Sequence, residues 1–99
     1  MKKVYPAIFT PDGGWILVSI PDFDIMTQGE NLADAIDMAR DAISLMGIHL
    51  EDEHKPLPVP TDILSLSLEK GQISTLIDCD FEAYRKTLHS ENVFHQKNI

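Results

Sequence analysis

The sequence predicts an α+β domain: an antiparallel three-stranded meander, then an amphipathic helix, a fourth strand and a short helix. Three observations carry this reading. Two runs rich in Val, Ile, Tyr, Phe and Trp flank the turn Pro11-Asp12-Gly13-Gly14. Apolar residues then recur at helical spacing from Leu32 to Leu50. A further β-rich run, residues 72–79, follows a stretch that prolines at alternate positions keep extended.

Taken in order, "KVYPAIFTPDGGWILVSI" is a hairpin whose Gly13 and Gly14 supply the positive φ that a tight turn needs. Alternation sets Trp15, Leu17 and Ser19 on one face of its second strand and Ile16, Val18 and Ile20 on the other, which should meet the helix. Pro6 has no amide proton, which puts the first strand at a sheet edge or turns that position outward. Pro21-Asp22 ends the second strand, and "DIMTQGE" leaves room for a short third strand beside it. Gly29 supplies a permissive backbone before the N-cap Asn31.

From there Leu32, Ile36, Ala39, Ile43, Met46 and Leu50 form an apolar stripe, with Asp34, Asp37, Arg40, Asp41 and Ser44 opposite, over about 18 residues. Gly47 within it costs about 1 kcal/mol relative to Ala, a place where the helix loosens or ends. The prolines of "EDEHKPLPVPTD" make a connection, and Leu64, Leu66 and Leu68 alternate with serines as in an extended segment. A strand over 72–79 and a short helix capped by Asp80, with Ala83 or Tyr84 inward, complete a domain over residues 1–88. Residues 89–99 read as a tail without a core pattern.

The 99 residues allow one core, and no run approaches the ~18 apolar residues of a membrane span. The N-terminus lacks a secretory h-region, because Pro6 interrupts its short apolar run. A soluble, cytoplasmic protein is expected. Its single cysteine, Cys79, forms no internal disulfide and reads as a small buried thiol. Residues 1–80 hold 14 Asp and Glu against 5 Lys and Arg, a balance of −9, whereas the remainder is nearly neutral. An acidic body repels phosphate backbones and favours basic partners at encounter.

Few residues suggest chemistry. The pairs Asp22/Asp24 and Asp78/Asp80 could contribute to a two-metal nuclease site, which needs three or four converging carboxylates. Both lie where strands end, and Asp is common there because its side chain bonds nearby amides. His49, His54, His89 and His95 have no zinc-ligand spacing, no serine sits in a nucleophile elbow, and "TQGENL" is too acidic to cradle phosphate. No cofactor or metal is expected.

Tyr5-Pro6-Ala7, the Pro21-Asp22 turn, Thr27-Gln28-Gly29, the helix opening from Leu32 to Ala35, and Ile77-Asp78-Cys79-Asp80 together resemble the HicB antitoxin family of bacterial HicA/HicB toxin–antitoxin pairs. The resemblance implies a β-β-β-α-β-α domain, like an incomplete RNase H fold, that binds and covers a small basic HicA-like ribonuclease. It also implies that a C-terminal segment reads the operator. This sequence stops at Asn98-Ile99, about where that segment would begin, so operator binding is expected only of a longer form. The toxin contacts expected here are Trp15 and the acidic face Asp34, Asp37 and Asp41. An open sheet edge on so small a core predicts a homodimer or higher oligomer. A metal-dependent nuclease built from the Asp pairs is the alternative reading.

Overall fold

The computed structural model describes residues 2–88. Strands β1 (Lys2–Asp12), β2 (Trp15–Ile20) and β3 (Ile25–Gly29) are followed by helix α1 (Leu32–Asp52) and strand β4 (Ile73–Asp80), and residues 81–88 are helical (α2). All neighbouring strands are antiparallel, in the order β3-β2-β1-β4, with α1 packed on one face. This is the α+β architecture expected from the sequence. The expected tail, 89–99, lies outside the described residues, and so do His89 and His95. Among the described residues no helix is long and apolar enough to cross a membrane.

The hairpin turn has two residues, Gly13 and Gly14, at φ 57° and 87°, the positive values that a tight turn between twisted strands demands. Such a turn makes its flanking pair, Asp12 and Trp15, a hydrogen-bonded one, and the alternation of an antiparallel ladder follows. Thr10, Ile8 and Pro6 then aim their backbone groups toward β2, whereas Phe9, Ala7 and Tyr5 aim theirs toward β4. This explains Pro6 and corrects the edge expectation. β1 is an interior strand and Pro6 is buried, but the last β1–β2 pair is Ile8 with Ser19, so the missing amide proton faces a side where β2 has already ended. No ladder bond is lost.

Tyr5, Ala7, Phe9, Val18, Ile20, Ile77 and Cys79 form the buried face of the sheet. As the alternation requires, Val18 and Ile20 are inside while Trp15 lies on the opposite face, 44% exposed. The Tyr5 ring meets Phe23 edge to face with centroids 4.7 Å apart, and its hydroxyl donates to the Pro58 carbonyl at 2.8 Å. Burial, with help from Asp22 and Cys79, pushes the Tyr5 pKa up, so the phenol remains a donor.

Helix α1 runs 21 residues, longer than expected, and continues through Gly47. Its buried residues are Ala35, Ala39, Ile43, Ser44, Gly47 and Ile48, so the inward stripe is rotated from the one centred on Leu32 and Leu50. Leu32 is exposed, whereas Ser44, expected on the polar side, is 1% exposed and hydrogen-bonds Cys79. The reason is close approach. A Cβ on Gly29 would lie 2.4 Å from the Ala35 nitrogen, and one on Gly47 would lie 2.3 Å from the Phe81 ring. Small side chains let α1 sit almost directly on β3 and let Phe81 seat itself on the helix backbone.

Asn31 caps α1 as predicted, accepting from Asp34 N at 2.8 Å, and Asp34 in turn accepts from Glu30 N at 2.9 Å. The far end closes with the His54 amide donating to the Glu51 carbonyl and Lys55 to that of Leu50, with His54 at φ 58°. The segment after it is extended only in part, against the expectation from its leucines. Ile63–Ser65 form a 3-10 turn beside β4 with Leu64 90% exposed, and the backbone is extended again at Leu66, φ −71° and ψ 135°. Asp22 receives both the amide and hydroxyl of Thr61, and Gln72 donates to Thr10 at 2.9 Å, so the connection is pinned at both ends of the sheet.

Two stability outcomes follow. Gly→Ala within a helix ordinarily gains about 1 kcal/mol, but Gly47→Ala should lower Tm because Phe81 must leave its seat; in a Phe81→Ala background the sign should revert, which a thermal double-mutant cycle reads. His54→Gly should raise stability by about 0.5–1 kcal/mol in chemical denaturation, since relief of the left-handed strain exceeds the added chain entropy of glycine.

Candidate functional site

The acidic residues of α1 share one side of the helix through their spacings of three and four, as the sequence indicates. They are not equally free. Asp34 is engaged at the helix N-terminus with Glu30 and Asn31. Asp41 accepts the Tyr84 hydroxyl of α2. Asp37 projects furthest, its side chain 77% exposed, with Arg40 at 3.5 Å. Trp15 stands across from Asp12 beside the hairpin turn, on the sheet face away from α1. The structure therefore puts the expected contacts on two surfaces, an acidic helical one and a hairpin one.

A second polar group, not anticipated from the sequence, gathers where β1, α1, β4 and α2 meet. Arg40 donates from Nη2 to Asp78 Oδ1 at 2.9 Å and from Nε to the Asp78 carbonyl at 3.0 Å, and Lys2 Nζ stands 3.5 Å from Asp78 Oδ2. The hydrogen bond and charge of Arg40 hold the Asp78 carboxyl below its ordinary range, with a smaller contribution from Lys2. Asp80 accepts from Ala83 N at 3.1 Å, capping α2 as predicted, and this bond lowers its pKa. Arg85 reaches back from α2 to Asp52 at 2.9 Å and Glu51 at 3.2 Å. The cavity beside these groups, about 270 Å³, is lined in part by Arg40, Asp78, Tyr84 and Thr87.

This geometry bears on the carboxylate pairs. Asp22 is committed to Thr61, and Asp24 occupies a left-handed turn at φ 53° between the Pro21–Phe23 turn and β3. Asp78 is already neutralised by Arg40 and Lys2, and Asp80 by a helix N-terminus. Among the described residues no group of three or more His, Cys, Asp or Glu could hold a metal ion. His49 faces Glu53 at 3.3 Å, while His54 serves the helix C-terminus. Cys79 is buried, and burial pushes its thiol up to about 11, so it remains protonated at neutral pH. The surface of the described residues presents exposed acidic side chains, an aromatic ring and, at β3, a strand edge that no described residue pairs.

Tyr84 as the partner of Asp41, Phe81 as the partner of Gly47, and Arg40 as the partner of Asp78 were not read from the sequence. One of these had a trace in it. A glycine inside an otherwise regular helical pattern marks a close approach, and a phenylalanine directly after the Asp80 cap is the apolar residue able to use it. The Arg40–Asp78 bond joins residues 38 positions apart and has no local signature.

No protein-family model matches this sequence, and no curated protein matches it. Among solved structures, a chain of the toxin–antitoxin complex from Streptococcus pneumoniae is similar with a TM-score of 0.78 and 26% identity, covering 85% of this chain and 73% of that one. A chain of the HicA3 and HicB3 toxin–antitoxin complex is similar with a TM-score of 0.65 and 24% identity, over 79% of this chain and 99% of that one; at that identity the likeness is one of fold. The chain has the fold of a component of toxin–antitoxin complexes.

Proposed function

We propose that this chain is an antitoxin of the HicB type, which binds a small basic HicA-like mRNA-cleaving toxin and neutralises it. The observation that carries the reading is the likeness to a chain of the Streptococcus pneumoniae toxin–antitoxin complex across 85% of the present chain. The charge distribution supports it: the balance of −9 over residues 1–80 attracts a basic protein and repels the RNA that such a toxin cleaves.

On this reading the protein acts by covering the toxin rather than by chemistry of its own. Exposed carboxylates speed encounter, with Asp37 the least encumbered of the three on the helix, while a desolvated aromatic such as Trp15 slows release. Asp34 and Asp41 contribute charge but also hold α1 and α2 in place, so their replacement has to preserve an acceptor oxygen.

The 99-residue chain should inhibit RNA cleavage by the toxin encoded beside it at stoichiometric ratio. Asp34→Asn, Asp37→Asn and Asp41→Asn together should slow association several-fold at low salt and flatten its salt dependence, as stopped-flow measurement reports. Trp15→Ala should raise Kd about tenfold through faster dissociation, with Tm nearly unchanged because the ring lies outside the core. Failure of the parent chain to inhibit at micromolar excess would overturn the antitoxin reading. Inhibition with unchanged kinetics in both variants would move the contact surface elsewhere.

A further inference from the structure

Helix α1 covers one face of the sheet, and the other face is lined by the residues that alternate with the core. Thr10, Ile8 and Val4 of β1 lie there, flanked by Leu17 and Ser19 of β2 and by Leu76 of β4, and Met26 extends the strip onto β3. None of these residues is charged, although the chain carries a net charge of −8. Val4, Met26 and Leu76 are exposed, Met26 by 71% and Leu76 by 51%. From the spacings of strands and residues the strip covers roughly 300 Å², a size at which an exposed apolar patch is often functional.

Charge is confined to the ends of this face, and the ends differ. At one, Asp78 and Asp80 are already answered, by Arg40 and Lys2 and by the Ala83 amide. At the other, Asp12 pairs directly with Trp15. Gly29, opposite Ile16, faces α1, so alternation turns the next residue, Glu30, to the Trp15 side and level with its ring. Cross-strand neighbours lie ~5 Å apart, which sets the indole between two carboxylates. Among the described residues no cation stands beside Asp12 or Glu30.

We propose that this face seats the basic toxin, an inference that rests on the antitoxin reading, with an arginine or lysine of the toxin laid over the Trp15 ring between Asp12 and Glu30. The chemistry selects that occupant. An indole face attracts a cation, and a carboxylate on each side neutralises it. A guanidinium fits best, since it stacks flat and offers donors at both edges. An apolar centre with a charged rim is the anatomy of a protein interface, and the sign of the free rim disfavours both a phosphate backbone and a second copy of this acidic chain. Asp34 and Asp41 of α1 are engaged within the chain, so the helix row attracts the toxin while the sheet face holds it.

Trp15 is the single tryptophan, so the full chain labelled with 5-fluorotryptophan reports on this face alone. In the free chain its fluorine resonance should be broadened by a dissolved neutral gadolinium chelate, equally at ~10 and ~200 μM protein; with the toxin encoded beside it the resonance should shift and lose that broadening. Asp12→Asn with Glu30→Gln should raise Kd about tenfold. Ser19→Arg, at a half-buried position in the middle of the face, should raise it about a hundredfold through faster dissociation, with Tm nearly unchanged. Asp37→Asn on α1 should alter association alone. Inhibition by the parent chain with the fluorine resonance unmoved, or with dissociation unchanged in Ser19→Arg, overturns this assignment and leaves the antitoxin reading standing. Failure of the parent chain to inhibit overturns both. Shielding of the fluorine in the free chain at every concentration would give the face to the chain's own remaining residues, and shielding that grows with concentration would give it to a second copy; either result also overturns the proposal.

Discussion

The contact on which the rest of this structure depends is the near-touching approach of helix α1 to the sheet at Gly29 and Ala35. With 2.4 Å separating the place of a Gly29 Cβ from the Ala35 nitrogen, helix and strand leave no room for a side chain between them. Ala39 and Ile43, both fully buried, continue the inward face of the helix. Because only two residues, Glu30 and Asn31, separate β3 from the helix, its direction is set where Asn31 and Asp34 cap it. Everything on the far side of α1, including its row of carboxylates, is oriented by that junction.

The same economy operates at the other end of the helix. Gly47 receives the Phe81 ring, and this brings α2 close enough for Tyr84 to reach Asp41 and for Arg85 to reach Glu51 and Asp52. Solvent-exposed ion pairs such as the latter contribute at most about 1 kcal/mol each. The buried aromatic is the stronger tie, and the charged groups set orientation. Arg40 is of a different kind, since it joins the middle of α1 to the end of β4 by both a side-chain and a main-chain bond. It thereby consumes one of the carboxylates that a nuclease of this topology would need for a cation.

An acidic surface and a neutral strand edge solve different problems of recognition. Charge acts over about a Debye length and accelerates meeting with a basic molecule, but confers little register. A strand edge acts only at contact, and its hydrogen bonds impose both direction and alignment.

Much of the architecture was legible in the sequence because it is written in local chemistry. Gly13-Gly14 can hardly be other than a hairpin turn, Asn31 and Asp80 are good caps, and the alternation from Trp15 to Ile20 sorts the faces of β2. Tertiary structure decided what depends on distance in space. Pro6 argued for an edge strand, yet the place where β2 ends makes an interior strand tolerate it. Leu32, Met46 and Leu50 suggested part of the inner face of α1, yet Ala35, Ser44 and Gly47 share it with Ala39, Ile43 and Ile48, because the helix is approached closely by Gly29 at one end and Phe81 at the other. Asp34, Asp37 and Asp41 are equivalent by spacing and unequal in the folded chain, since Glu30, Arg40 and Tyr84 answer them differently. Composition and periodicity report what a residue is and which way it faces; which atoms stand opposite is a property of the assembled sheet and helix alone.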